Sequence, residues 1–202
     1  EPSAHLLDYA TTKAGIVGLA DPSGLFLSQR DGSVPGACIT VALEGRRPLV
    51  TEVQSLVVPS SLPSPRRTTS GLESSRVAML MAVLQRRVNL PLQGADTYVS
   101  TVGGVRITEP AADLAVALAV ASAASDEPVP HGTVAMGEVG LAGEIRPVTG
   151  VPRRLAEAAR LGFRTAIVSR DALGSAAAPD GIRVVEAADL RSALASGMLE
   201  RR

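Results

Sequence analysis

Few side chains in this 202-residue sequence are equipped for chemistry, and most of those are arginines. The twenty basic residues are nineteen arginines and one lysine, Lys13, beside two histidines and one cysteine. A phosphate-cradling loop of the form G-x-x-x-x-G-K-[ST] needs a lysine after its last glycine, and Lys13 does not stand in such a loop. His5 lies in the opening stretch and His131 in a proline-rich loop, neither with a carboxylate at metal-ligand spacing, so no metal site and no histidine-based triad is expected. Cys38, within Ala37-Cys38-Ile39, reads as a small buried hydrophobe. A lone cysteine rules out an internal disulfide framework or thiolate zinc cluster, which fits a reducing cytosol. An arginine bias can come from a GC-rich genome alone, but arginine is also the better fork for phosphate, so its placement matters.

The elements that must position these groups follow from periodicity. Aromatics make up only 2% of the chain against 46% apolar residues overall, so the core must be Val, Leu, Ile and Ala, with Ala-faced helices packed closely on a sheet. Zero formal net charge argues against a uniformly basic nucleic-acid binder. No run approaches ~20 uninterrupted apolar residues and no signal peptide opens the sequence, so a soluble, cytoplasmic chain without membrane association is expected.

Two β-rich runs, residues 37–43 and 49–58, flank Glu44-Gly45-Arg46-Arg47-Pro48 and predict a hairpin. A Pro/Ser loop, 59–65, leads into Arg66-Arg67. Ser70-Gly71-Leu72-Glu73 matches a capping box, and Val77, Leu80, Met81, Leu84 and Val88 form one helical stripe behind it. Arg86 and Arg87 suit the negative end of that helix dipole. A β-branched strand ends at Gly103-Gly104, which read as a chain-reversing turn rather than a phosphate loop. Pro110 suits the first turn of an Ala-rich helix. Gly137, Gly140 and Gly143 punctuate short strands, residues 152–160 form a third helix, 165–169 a short buried strand, 184–185 a last strand and 189–196 a final helix. Residues 15–19 suit a short strand and 21–24 a turn, and residues 170–181 are expected to form a mobile loop. The whole predicts one α/β domain with a mixed sheet and packed helices.

A Pro-led helix start followed by Gly137-Glu138-x-x-Leu141-x-Gly143-x-x-x-Pro147-Val148 resembles the surroundings of the Ser–Lys active site in Lon proteases. Such a dyad needs a hydroxyl at the helix start and a desolvated amine as base. Matching Glu109-Pro110-Ala111-Ala112-Asp113 to the family's G-P-S-A-G puts Ala111 at the nucleophile position. Matching Arg146-Pro147-Val148 puts Pro152 where the lysine belongs. A methyl group and a proline can neither attack nor take a proton.

The combination resembles the C-terminal, Lon-like domain of the bacterial RadA/Sms DNA-repair family. The resemblance runs from Gly18-Leu19-Ala20-Asp21-Pro22-Ser23 and Phe26-Leu27-Ser28 through residues 46–57, Pro65-Arg66-Arg67, Gly71 and Arg76. It continues in residues 103–106, 109–115, 137–141, 143–146 and 154–163, and so covers about residues 15 to 170. It implies a Lon-protease-like (ribosomal protein S5 domain 2-like) α/β fold over residues 21–202. Residues 1–20 would be a connector from an absent ATPase domain or a non-native leader, since the family's Lys-Asn-Arg-Phe-Gly motif has no match there. The family normally carries a four-cysteine zinc motif and a RecA-like ATPase upstream. ATP, Mg and Zn are therefore implied for those domains, and no cofactor for this stretch, which reads as an isolated fragment.

For function, the resemblance implies a non-proteolytic oligomerisation and DNA-binding domain of an ATP-dependent branch-migration helicase in recombinational repair. Its implied partners are other copies in a hexameric ring, single-stranded or branched DNA, and the recombinase RecA through the full-length protein. Candidate DNA contacts are Arg66, Arg67, Arg76, Arg106 and Arg146. Each also has a plain reading: Arg106 and Arg146 can pair with Glu109 or Glu144 at the surface, where such pairs contribute little. Two alternatives stand beside this one: a purely structural ring with arginines paired between subunits, and a peptidase using Ser100 or Ser122.

Overall fold

The computed structural model describes residues 9–12, 15–18 and 33–198. Its centre is a seven-stranded mixed sheet built from β3 (Ala37–Glu44), β4 (Arg47–Pro59), β5 (Arg67–Ser70), β6 (Ala95–Thr101), β7 (Thr133–Ala135), β10 (Thr165–Ser169) and β11 (Arg183–Ala187), in the order β11-β10-β7-β3-β4-β6-β5. β3/β4 and β4/β6 pair antiparallel; the pairs β3/β7, β7/β10, β10/β11 and β5/β6 are parallel. Two short antiparallel pairs stand apart: β1 (Tyr9–Thr12) with β2 (Gly15–Gly18), and β8 (Glu138–Val139) with β9 (Ile145–Arg146). The helices are α1 (Ser74–Arg87), α2 (Asp113–Ser125), α3 (Val151–Arg160) and α4 (Leu190–Met198).

The hairpin forms where the composition predicts it, with Glu44 opposite Arg47 across Gly45-Arg46. One face of the sheet carries Cys38, Val53 and Val99 against Leu80, Met81 and Leu84 of α1, Leu114 and Leu118 of α2, and Leu190 and Ala193 of α4. The other carries Val41, Val50, Val134 and Val168 against Val151, Leu155 and Ala158 of α3. Every residue of α2 from Asp113 to Ser122 is buried. A helix apolar all round must be enclosed, and alanines at 115, 117, 119 and 121 let it lie close to the sheet without bulky side chains intervening.

The capping box does not form. Ser70 ends β5, paired with Ser100 of β6, so the helix starts one turn later, with Glu73 at the N-cap and no side-chain cap bond. Its stripe is as predicted, with Val77, Leu80, Met81 and Leu84 buried. The strand β5 itself is a departure: four polar residues form a parallel edge strand where the sequence suggested a loop. Gly71 makes this possible. At φ +78° it turns the chain so that its carbonyl accepts the Ile107 N–H at 2.9 Å. A Cβ there would sit 2.0 Å from Thr101 Oγ1, an impossible approach. Gly103 and Gly104 both take positive φ, as a chain-reversing turn requires. Residues 170–181 form turns, with neither helix nor strand. The strand expected over 15–19 is β2, whereas the turn expected at 21–24 lies outside the described residues, as do most of residues 1–20.

Cys38 is 2% exposed, and burial pushes its thiol up to about 12. A thiol held protonated and out of solvent is a poor nucleophile. Folded protein is therefore expected to leave a chromogenic disulfide reagent unreacted over an hour at pH 8, and to react once unfolded in denaturant.

Candidate functional site

The start of α2 is where the chain's charged side chains are drawn inward. Pro110–Ala112 form a single 3-10 turn, with Pro110 in the first turn as its missing N–H suggests, and α2 follows directly. Ala111 is 2% exposed, and its carbonyl accepts the Gly137 N–H at 2.9 Å, while Leu114 N–H donates back to Gly137 O at 3.1 Å. The β8/β9 pair is thus stitched to the helix start. Pro152, the second position of the expected dyad, lies exposed in the first turn of α3.

Two ion pairs bracket this turn. On one side Glu109 meets Arg154, whose side chain is 1% exposed. Arg154 Nη1 donates to Glu109 Oε1 at 2.6 Å and to Val41 O at 2.8 Å, Nη2 to Glu109 Oε2 at 3.0 Å, and Nε to Thr149 O at 2.9 Å. Glu109 Oε1 also accepts the Leu43 N–H at 2.9 Å. Three segments of the chain, at Val41, Glu109 and Thr149, therefore converge on one guanidinium. On the other side Asp113, 2% exposed, takes a bidentate fork from Arg76 of α1 and the Val139 N–H of β8. Burial pushes the Asp113 carboxyl above its ordinary value, and the Arg76 fork and the Val139 N–H offset only part of that. The same bond holds the Arg76 guanidinium above its ordinary value.

The five candidate arginines separate into two groups. Arg76 and Arg146 come together around Glu138: Arg76 lies 3.7 Å from its carboxylate, and Arg146 is its cross-strand partner. Arg146 is exposed and pairs with Glu144 at 3.6 Å, as the plain reading has it. Arg106 does not pair with Glu109, because Arg154 holds both oxygens of that carboxylate. Arg66, Arg67 and Arg106 are exposed along the β5 edge. Arg66 and Arg67 lie where the edge begins, and Arg106 adjoins Ile107, which bridges Leu72 just beyond the strand.

Ser122 is buried, its hydroxyl donating to Glu127 O and accepting the Gly36 N–H. That bonding ties the end of α2 to the start of β3. Ser100 is half-buried on β6, paired across strands with Gln54 and Ser70.

The Arg154–Glu109 pair was not found from the sequence, although a signal exists. Val151, Arg154, Leu155 and Ala158 are the buried residues of α3, and they fall at helical spacing. A cation on an otherwise apolar stripe requires a buried anion, and Glu109 supplies it from 45 residues upstream.

Comparison with known proteins places these features. The family described as subunit ChlI of Mg-chelatase matches residues 102–172, from the two-glycine turn through the helix start to the end of β10. The chain is 55% identical over 180 residues to the DNA repair protein RadA of Mycolicibacterium smegmatis, across 89% of this chain and 38% of that protein. It is 44% identical over 186 residues to the DNA repair protein RadA of Escherichia coli, across 92% and 40%. With the DNA repair protein RadA of Bacillus subtilis the identity is 40% over 184 residues, across 91% and 40%. The chain spans about two fifths of the length of these curated relatives.

Proposed function

Since this chain belongs to the RadA family over the stretch it shares with those relatives, we propose that it is a non-proteolytic module that assembles copies of itself and holds DNA during repair. The observation that carries the DNA part is the line of exposed arginines, Arg66, Arg67 and Arg106, along one sheet edge. Exposed guanidinium forks can meet backbone phosphates and carry no base preference. Within the whole protein, the module serves an ATP-driven motor that moves branched DNA, and the ring is its scaffold.

Arg76 takes a structural part here rather than a phosphate contact, because Asp113 occupies its fork. The reading is supported as well by what stands at the helix start. Two half-buried ion pairs hold the turn that a peptidase would use for attack, and Ala111 offers only a methyl group. The purified chain is accordingly expected to leave casein and fluorogenic peptides uncut over hours, with or without nucleotide. Cleavage that survives stringent purification and stops with a serine-directed inhibitor would overturn this part of the proposal. Binding to an oligonucleotide that weakens steadily with salt distinguishes the DNA-holding module from a purely structural ring.

A further inference from the structure

Leu56 and Tyr98, at 57% and 38% exposure, stand directly opposite each other on β4 and β6. Thr68 of β5 pairs with Tyr98 from the other side, so Leu56, Tyr98 and Thr68 form one row across three strands. Alternation puts Gln54, Ser100 and Ser70 in the next row of the same face, and Val58 and Asp96 in the row before. The core side of these strands is occupied by α1 and α2 through Val53, Val57 and Val99. The face bearing Tyr98 therefore looks away from those helices.

We propose that this outer face binds single-stranded nucleic acid by stacking a base on Tyr98, with Arg66 taking a neighbouring phosphate. The inference rests on the DNA-holding reading and specifies its strand. An exposed aromatic in the middle strand of a small open face, ringed by hydroxyls and an amide, is how a sheet presents a stacking platform to an unpaired base. Arg66 is exposed and falls on this face by alternation, where it stands beside Asp96, whose Oδ1 accepts the Arg66 backbone N–H at 2.6 Å. Two large exposed apolar side chains among hydroxyls are too few for the apolar centre of a stable protein interface, which needs about 800 Å² per partner. A duplex would offer this face only phosphates, since its bases are already stacked.

The chain has no tryptophan and two tyrosines, Tyr9 and Tyr98, so tyrosine emission can report on this one residue. In a Tyr9→Phe background, titration with oligo-dT is expected to quench Tyr98 emission in step with binding. Tyr98→Ala is expected to weaken oligo-dT binding about 5- to 150-fold while leaving the salt slope unchanged, and Tyr98→Phe to bind as before. Salt-dependent binding without quenching, and with full affinity in Tyr98→Ala, would overturn the stacking site while leaving the arginine reading intact. Absence of binding to any oligonucleotide would overturn both. A lower oligomer mass in Tyr98→Ala without DNA would assign the face to contacts between copies and overturn the inference.

Discussion

Replacing Arg154 with methionine is expected to cost about 2–4 kcal/mol of folding stability, somewhat under the cost of breaking a fully buried pair because the Glu109 side chain is 27% exposed. Arg154 is buried with its guanidinium satisfied on Glu109, Val41 O and Thr149 O. Methionine matches the stem and removes the Arg154 donors from three acceptors. The costliest is the Glu109 carboxylate, which keeps only the Leu43 N–H. A double variant, Arg154→Met with Glu109→Gln, removes the stranded charge and is expected to recover a substantial part of the loss. Urea denaturation followed by circular dichroism gives both numbers. Equal losses in single and double variants would show that the pair contributes by packing rather than by charge compensation.

Removing Arg67 is expected to flatten the salt dependence of DNA binding, by an amount that reports how many copies touch the strand. Each phosphate neutralised on a single strand contributes about 0.7 to the slope of log affinity against log salt. Arg67→Ala therefore lowers the slope by about 0.7 if one copy contacts the strand, and by about 4 if six copies line a shared channel. Arg66→Ala and Arg106→Ala are expected to act in the same direction, with little dependence on base sequence. Arg86→Ala and Arg160→Ala are near-silent controls. Arg86 lies in the last turn of α1, where the dipole accounts for it, and Arg160 forms an exposed pair with Glu157. Fluorescence anisotropy at several salt concentrations, with oligomer mass checked for each variant, measures the slopes. Unchanged slopes in Arg66→Ala, Arg67→Ala and Arg106→Ala, with binding intact, would remove the β5 edge from the DNA path.

Local pattern carried most of the fold, and contacts distant in sequence were what it could not carry. Thr165–Ser169 was legible because a short β-branched run follows a helix and a glycine. The stripe from Val77 to Leu84 was legible because helical spacing repeats within the segment itself. The strand β5 was not. Arg67-Thr68-Thr69-Ser70 has no apolar alternation and becomes a strand only because β6 offers a parallel edge thirty residues later. The same pairing misled the capping-box reading, since Ser70 bonds into the sheet before it can cap a helix. At the site, an alanine at 111 and a proline at 152, the positions expected of a dyad, could be read directly in the sequence. The two ion pairs that bracket the turn could not. Glu109 finds Arg154 and Asp113 finds Arg76 only once α1, α2 and α3 are packed, and in the sequence Glu109 suited a surface pair with Arg106 equally well.

The central proposal, a self-assembling module that holds DNA, is tested most directly by light scattering coupled to size exclusion, with and without single-stranded oligonucleotide. The subunit mass is 20.7 kDa. The proposal predicts a closed ring near six times that value across a concentration series, since a closed cyclic assembly stops growing at a fixed size. It also predicts a gain of one oligonucleotide mass per ring at low salt, lost as salt is raised. A single 20.7 kDa species at every concentration, unchanged by the oligonucleotide, would contradict both assembly and DNA binding.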